Sequence, residues 1–160
     1  MNNTLLQLEK VIPQKDIDKL KNVVIYQDED GSYNLYGKYC VVKNTDGSYT
    51  VKVLGTYTEI IFHKLTNAIA WCSFEKRNLY RKADRLHQLD KMTYSMDTEI
   101  QIQTKLLKKS KDPSSAIIYL SKLTNNKAKK RSFNNEISVF VNESKRWQNS
   151  LFDKSKLLSH

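Results

Sequence analysis

The stretch Lys105-Leu106-Leu107-Lys108-Lys109-Ser110-Lys111-Asp112-Pro113-Ser114 decides how this chain folds, because one helical ladder ends in it and another begins. Upstream, Leu65, Ile69, Cys72, Lys76, Leu79, Ala83 and Leu86 step by alternating fours and threes. The series continues through Leu89, Thr93, Met96, Ile100, Gln103 and Leu107. That period is the buried stripe of an amphipathic helix. Lys111-Asp112-Pro113-Ser114 breaks it. Asp caps a helix N-terminus well, and Pro suits the first helical position, where an N–H would have no partner anyway. A second helix therefore starts here, with the ladder Ala116, Leu120, Leu123, Lys127, Lys130, Phe133, Ile137, Phe140, Ser144, Trp147 and Leu151. Each ladder holds one extra step of three, at Leu86–Leu89 and at Lys130–Phe133. The two stammers are at similar distances from Asp112 and would face each other across an antiparallel helical hairpin. Arms of about 40 residues would each run about 60 Å. The seam reads apolar near the base and polar toward the turn.

N-terminal to the hairpin the period changes. Val23–Gln27, Tyr33–Lys43 and Tyr49–Leu54 are rich in β-branched and aromatic residues, which favour strands. Between them stand two copies of one turn signal, Asp30-Gly31-Ser32-Tyr33 and Asp46-Gly47-Ser48-Tyr49. Asp-Gly supplies the positive φ that tight hairpin turns need. These segments form an antiparallel meander of three strands, with Tyr57–Phe62 a candidate fourth. Gly37, inside the longest strand, marks a bulge or bend. Residues 3–21 read as short helical pieces interrupted at Pro13. The expected fold is α+β: a small three- to four-stranded antiparallel meander packed on the base of a long antiparallel helical hairpin. Residues 1–62 carry the N-terminal segment and meander, residues 63–160 carry the hairpin with its turn near 110–113, and the whole is one cooperative unit. Trp71, Phe74, Phe140, Trp147 and Leu151, with the Val and Tyr strand faces, should form the core, and the chain should fray after Phe152.

Charge is concentrated where the helices meet. Lys105, Lys108, Lys109, Lys111, Lys122, Lys127, Lys129, Lys130 and Arg131 lie within 27 residues, with Asp112 the one acid among them. They account for +8 of a formal net charge of +10, so the rest of the chain is nearly neutral. A field this local attracts polyanions. Lysine outnumbers arginine eight to one in the cluster, which points to backbone contact rather than base reading. The bland reading is a solvated lysine-rich helix surface. Tyr119 is the aromatic residue nearest the cluster.

Other candidate chemistry is weaker. Tyr36, Lys38 and Cys40 share a strand face that Tyr26 and Lys52 could extend, as in sheets that stack single-stranded bases. Ordinary cross-strand packing explains the same pattern. Asp84, His87 and Asp90 form one helical stripe, but the facing region offers only Glu136, so a solvated polar stripe is the better reading than a metal site. Four glycines leave little room for phosphate-cradling loops, and no nucleophile motif is present. Cys40 and Cys72 read as buried thiols of a reducing compartment. No stretch approaches the ~20 apolar residues of a bilayer span, and Met1–Lys10 lacks the pattern of a secretory signal.

The segment from Trp71-Cys72 through Arg77-Asn78 to Leu86–Asp90, together with Trp147-Gln148, resembles small uncharacterised proteins of large tailed phages of marine bacteria. The resemblance implies a phage origin and carries no activity or functional residue. The expected function is that of a non-enzymatic accessory protein without cofactor or metal, binding DNA or RNA backbone through the basic hairpin tip. The alternative is a virion or assembly component whose helical arm docks an acidic protein surface. Homo-oligomerisation is compatible with either, a membrane partner is not expected, and the expected location is the (host) cytoplasm or the virion.

Overall fold

The computed structural model describes residues 25–158, with side chains at Ile25 and over 27–147. The fold is α+β. Five strands, β1 (Ile25–Gln27), β2 (Tyr33–Leu35), β3 (Tyr39–Lys43), β4 (Tyr49–Val53) and β5 (Glu59–Phe62), form one antiparallel sheet in sequential order. Three helices follow: α1 (Leu65–Lys76), α2 (Tyr80–Lys109) and α3 (Pro113–Leu158). The helical pieces expected within 3–21 and the core role expected of Leu151 lie outside the described residues. Helix α3 runs past Phe152, where fraying was expected; no proline or glycine stands between Phe152 and Leu158 to stop it.

The repeated tetrapeptide makes a repeated turn. Gly31 and Gly47 have φ of +89° and +88°. In the first turn Asp30 Oδ1 accepts from the Ser32 N–H (2.9 Å) and Oγ–H (2.7 Å). In the second, Asp46 Oδ1 accepts from the Ser48 N–H (2.9 Å) and Oγ–H (2.6 Å). The serine hydrogen bonds hold both carboxyls below their ordinary range. A Cβ at Gly31 or Gly47 would meet nothing within 4 Å, so the requirement is one of φ alone. Gly47→Val should therefore cost about 1 kcal/mol or more in chemical denaturation, and Gly31→Val the same. Unchanged denaturation midpoints for both would contradict the turn geometry.

Gly37 marks neither a bulge nor a bend within one long strand. Tyr36 and Gly37 both take positive φ (58° and 67°), and the Lys38 N–H closes a tight turn on the Leu35 carbonyl at 3.0 Å. The expected strand Tyr33–Lys43 is thus a hairpin, which is why the sheet has five strands. A tyrosine tolerates this conformation because burial holds it: its ring is packed in the core and its hydroxyl lies 2.7 Å from Ser73 Oγ. Leu35, Tyr39, Val41, Val51, Val53 and Phe62 face inward and pack on Trp71, Cys72 and Phe74 of α1 and on Leu86 and Leu89 of α2. Burial pushes the Cys72 thiol well up from its ordinary value.

The first helical ladder breaks at Asn78. Its φ of 62° makes it the left-handed residue that follows the C-cap, Arg77: its N–H bonds the Glu75 carbonyl (3.0 Å), and the next N–H, of Leu79, bonds the Phe74 carbonyl (2.9 Å). This is the paired hydrogen-bond pattern that closes many helices, with Asn in place of the usual Gly. Helix α1 then lies under the sheet while α2 leaves with α3. The second start is as the sequence reads. Asp112 Oδ1 accepts from the Ser114 N–H (3.3 Å), and its Oδ2 accepts from the Ser115 hydroxyl (3.1 Å).

Helices α2 and α3 run antiparallel. Lys82 bonds Glu143 (2.9 Å), Arg85 holds Glu136 through two N–H groups (2.8 and 3.0 Å), Lys130 pairs with Asp97, and Asn126 donates to Gln103 (2.9 Å). The seam of α3 differs from the expected ladder. Leu120 and Lys127 are exposed, while Tyr119 and Asn126 are half-buried beside Leu123 and Lys130. Ala116, Tyr119, Leu123, Asn126, Lys130, Phe133, Ile137 and Phe140 alternate threes and fours without interruption, so α3 has no stammer. On α2 the irregularity reflects a wide buried stripe: Leu86 and Leu89 serve the sheet, while Asp97 and Gln103 serve α3. Nor is the seam uniformly polar toward the turn, since Leu123 is buried beyond the polar pairs. Spin labels at Met96 and Lys127, bracketed by these pairs, should lie within about 20 Å of each other, given axes 8–10 Å apart. A measured separation near 40 Å would exclude the pairing.

Candidate nucleic-acid interface

The local turn at Ser110–Asp112 puts the end of α2 beside the start of α3. Lys105, Lys108, Lys109 and Lys111 therefore meet Lys122 at one end of the helical pair. All five side chains are exposed. The second group, Lys127, Lys129, Lys130 and Arg131, lies further along α3. The α2–α3 register sets it opposite Asp97 and Glu99. Lys127, Lys129 and Arg131 are exposed, while Lys130 is half-buried and ion-paired with Asp97. The cluster thus divides in two. The end group has five cations and one acid, Asp112. The inner group has four cations against two acids. The positive field is strongest at the very end, a distinction hidden in the linear sequence because Asp97 and Glu99 precede the charge run.

The end also carries aliphatic surface. Ile102, Leu106, Ile117, Ile118 and Leu120 are 41–68% exposed among the lysines. Leu120, a seam position in the sequence ladder, belongs to this exposed surface. Aromatic rings are placed differently. Tyr119 is half-buried at a seam position. Tyr94, level with the inner group, has one ring face stacked on His63 at 3.8 Å.

The other candidates resolve into structural roles. The sheet face proposed for stacking carries Asn34, Cys40 and Lys52 in register. Tyr36 is buried at its turn, and Tyr33 and Tyr49 pack against the core on the opposite face. Lys38 pairs with Glu75 at 3.5 Å. The stripe Asp84, His87 and Asp90 is not simply solvated. His87 Nε2 lies 3.1 Å from the Ile61 carbonyl, and burial, with Lys91 nearby, holds the imidazole below its ordinary pKa. Asp90 is buried; its two oxygens accept from the His63 N–H (2.9 and 3.2 Å), and its Oδ1 accepts from Asn67 Nδ2 (2.9 Å). These two residues cover the outer edge of β5. Among the described residues no group of His, Cys, Asp and Glu is arranged to hold a metal ion. Glu136, the facing acid, is held by Arg85, which also keeps its carboxyl below the ordinary range.

No protein-family model, curated protein or solved structure significantly matches this chain. Among the described residues no helix is long and apolar enough to cross a membrane.

Proposed function

We propose that the protein is a non-enzymatic accessory factor that binds nucleic acid backbone through the end of its helical pair. The observation that carries this reading is the exposure of eight of the nine clustered cations, five of them at the end of the arm. Long, flexible ammonium groups held on two adjoining helices can each neutralise a phosphate and release its counterion. The excess of lysine over arginine favours sequence-tolerant contact. A phage origin, implied by the sequence resemblance, fits such an accessory role. If about four to six phosphates are contacted, log affinity should fall against log salt with a slope of about −3 to −5. Changing Lys108, Lys109, Lys111 and Lys122 together to Gln should lower both affinity and slope. The same change at Lys127, Lys129, Lys130 and Arg131 should do less, because Asp97 and Glu99 already offset part of that charge. Changing Lys38 and Lys52 should matter least. Salt-independent binding, or binding lost only in the Lys38/Lys52 variant, would refute the proposal.

The exposed aliphatic residues favour a second reading, in which the arm docks an acidic, partly apolar protein surface during assembly. No binding to mixed-sequence DNA or RNA at low salt, alongside a stable complex with an acidic partner protein, is the outcome that selects it.

A further inference from the structure

From the aliphatic and aromatic side chains around the cations, and resting on the nucleic-acid reading above, we infer that the ligand is duplex DNA, entered at its minor groove by Ile117, Ile118 and Leu120. Single-strand binders need accessible rings on which successive bases stack. Here Tyr119 is drawn into the seam, Tyr94 has one face covered by His63, and Phe133 is half-buried in the seam. Tyr94, 52% exposed, keeps its other face open, but it is a single ring level with the inner group. Among the described residues the cations have no run of rings on which successive bases could stack. A duplex needs none, since its bases already stack on one another.

The arm offers aliphatic wedges instead. Ile117, Ile118 and Leu120 lie in the first turns of α3, each more than half exposed, with Lys108, Lys109, Lys111 and Lys122 around them. Leu and Ile side chains flanked by cations are the chemistry that parts base steps from the minor groove and bends DNA, while lysines hold the adjoining phosphates. A-form RNA, with its wide and shallow minor groove, suits such a wedge less well. From Lys111 to Arg131 the cations span about 30 Å along the arm, close to one turn of B-DNA. The inner group, about 10–20 Å from the wedge, thus reaches phosphates about half a turn away from it.

The test uses the full-length protein with a 30-base-pair duplex of mixed sequence carrying dyes at both ends, and the corresponding labelled single strand, at low salt. The duplex should bind at least tenfold more tightly than the strand, and binding should raise end-to-end energy transfer. Ile117→Ser, Ile118→Ser and Leu120→Ser together should abolish that rise while leaving helicity and thermal unfolding unchanged, because none of the three side chains is buried. Equal or tighter binding of the strand would overturn the inference, as would an unaltered bend in the triple variant. Failure to bind either DNA would also overturn the inference; only failure to bind the corresponding RNA as well would remove the nucleic-acid reading on which it rests.

Discussion

Asp90→Ala should destabilise the protein by about 4 kcal/mol in urea denaturation. Asp90 is 2% exposed and is the acceptor for the His63 N–H and the Asn67 amide. His63 and Lys64 lead into α1, whose N-cap residue makes no side-chain cap of its own. Asp90 thus supplies from α2 the negative charge that the start of α1 favours. Removing it leaves the buried Asn67 amide and the half-buried His63 N–H unpaired, each costing about 1–3 kcal/mol. It also loosens the α2 cover on β5. Asp90→Asn keeps one accepting oxygen and should lose less than half as much. A loss below 1 kcal/mol for the alanine variant would mean that water replaces the carboxylate, and that this junction is not closed.

Phe74→Ala should cost a similar amount, about 3–5 kcal/mol. Phe74 is fully buried, and its ring meets Phe140 at 5.7 Å and Trp147 at 5.2 Å, both edge-on. These contacts tie α1, beneath the sheet, to α3. Trp147 also carries the Arg77 guanidinium over its ring at 4.2 Å. Truncation removes a large ring, leaves a cavity and frees Trp147, so a change in tryptophan emission should accompany the loss of stability. An effect near 1 kcal/mol would show that α3 docks on the base without this contact.

What the sequence made legible was local. The two Asp-Gly-Ser-Tyr turns and the Asp112-Pro113 start carry their signals within four residues. What it hid depended on tertiary company. Asn78 ends α1 with no glycine or proline to announce it, because asparagine can take the left-handed conformation at modest cost. Tyr36 adopts a positive φ only because its ring and hydroxyl are held in the core. At Leu120 and Lys127 the linear pattern misplaces the seam, because the more apolar side chain at the first step brings an uneven spacing with it. Tyr119 and Asn126, one residue earlier in each case, restore the even alternation. For the candidate site, the identity of the cations was plain from composition. Their division into an end group and an inner group faced by Asp97 and Glu99 required the register of α2 against α3. Asp90, His87 and their strand edge lie 26–27 residues apart in sequence, beyond any spacing argument.

The polar pairs of the arm, Asp97 with Lys130 and Gln103 with Asn126, stand between an apolar base and the buried Leu123. Such pairs add little net stability, but they forbid alternatives. A one-heptad slide of α3 past α2 would carry Lys130 away from Asp97 and Asn126 away from Gln103, leaving all four without these partners. The two helices are therefore keyed at a single offset. The azimuth at which each lysine leaves the rod is fixed relative to a sheet several turns away, so whatever approaches the far end meets one pattern of charge rather than an average over several.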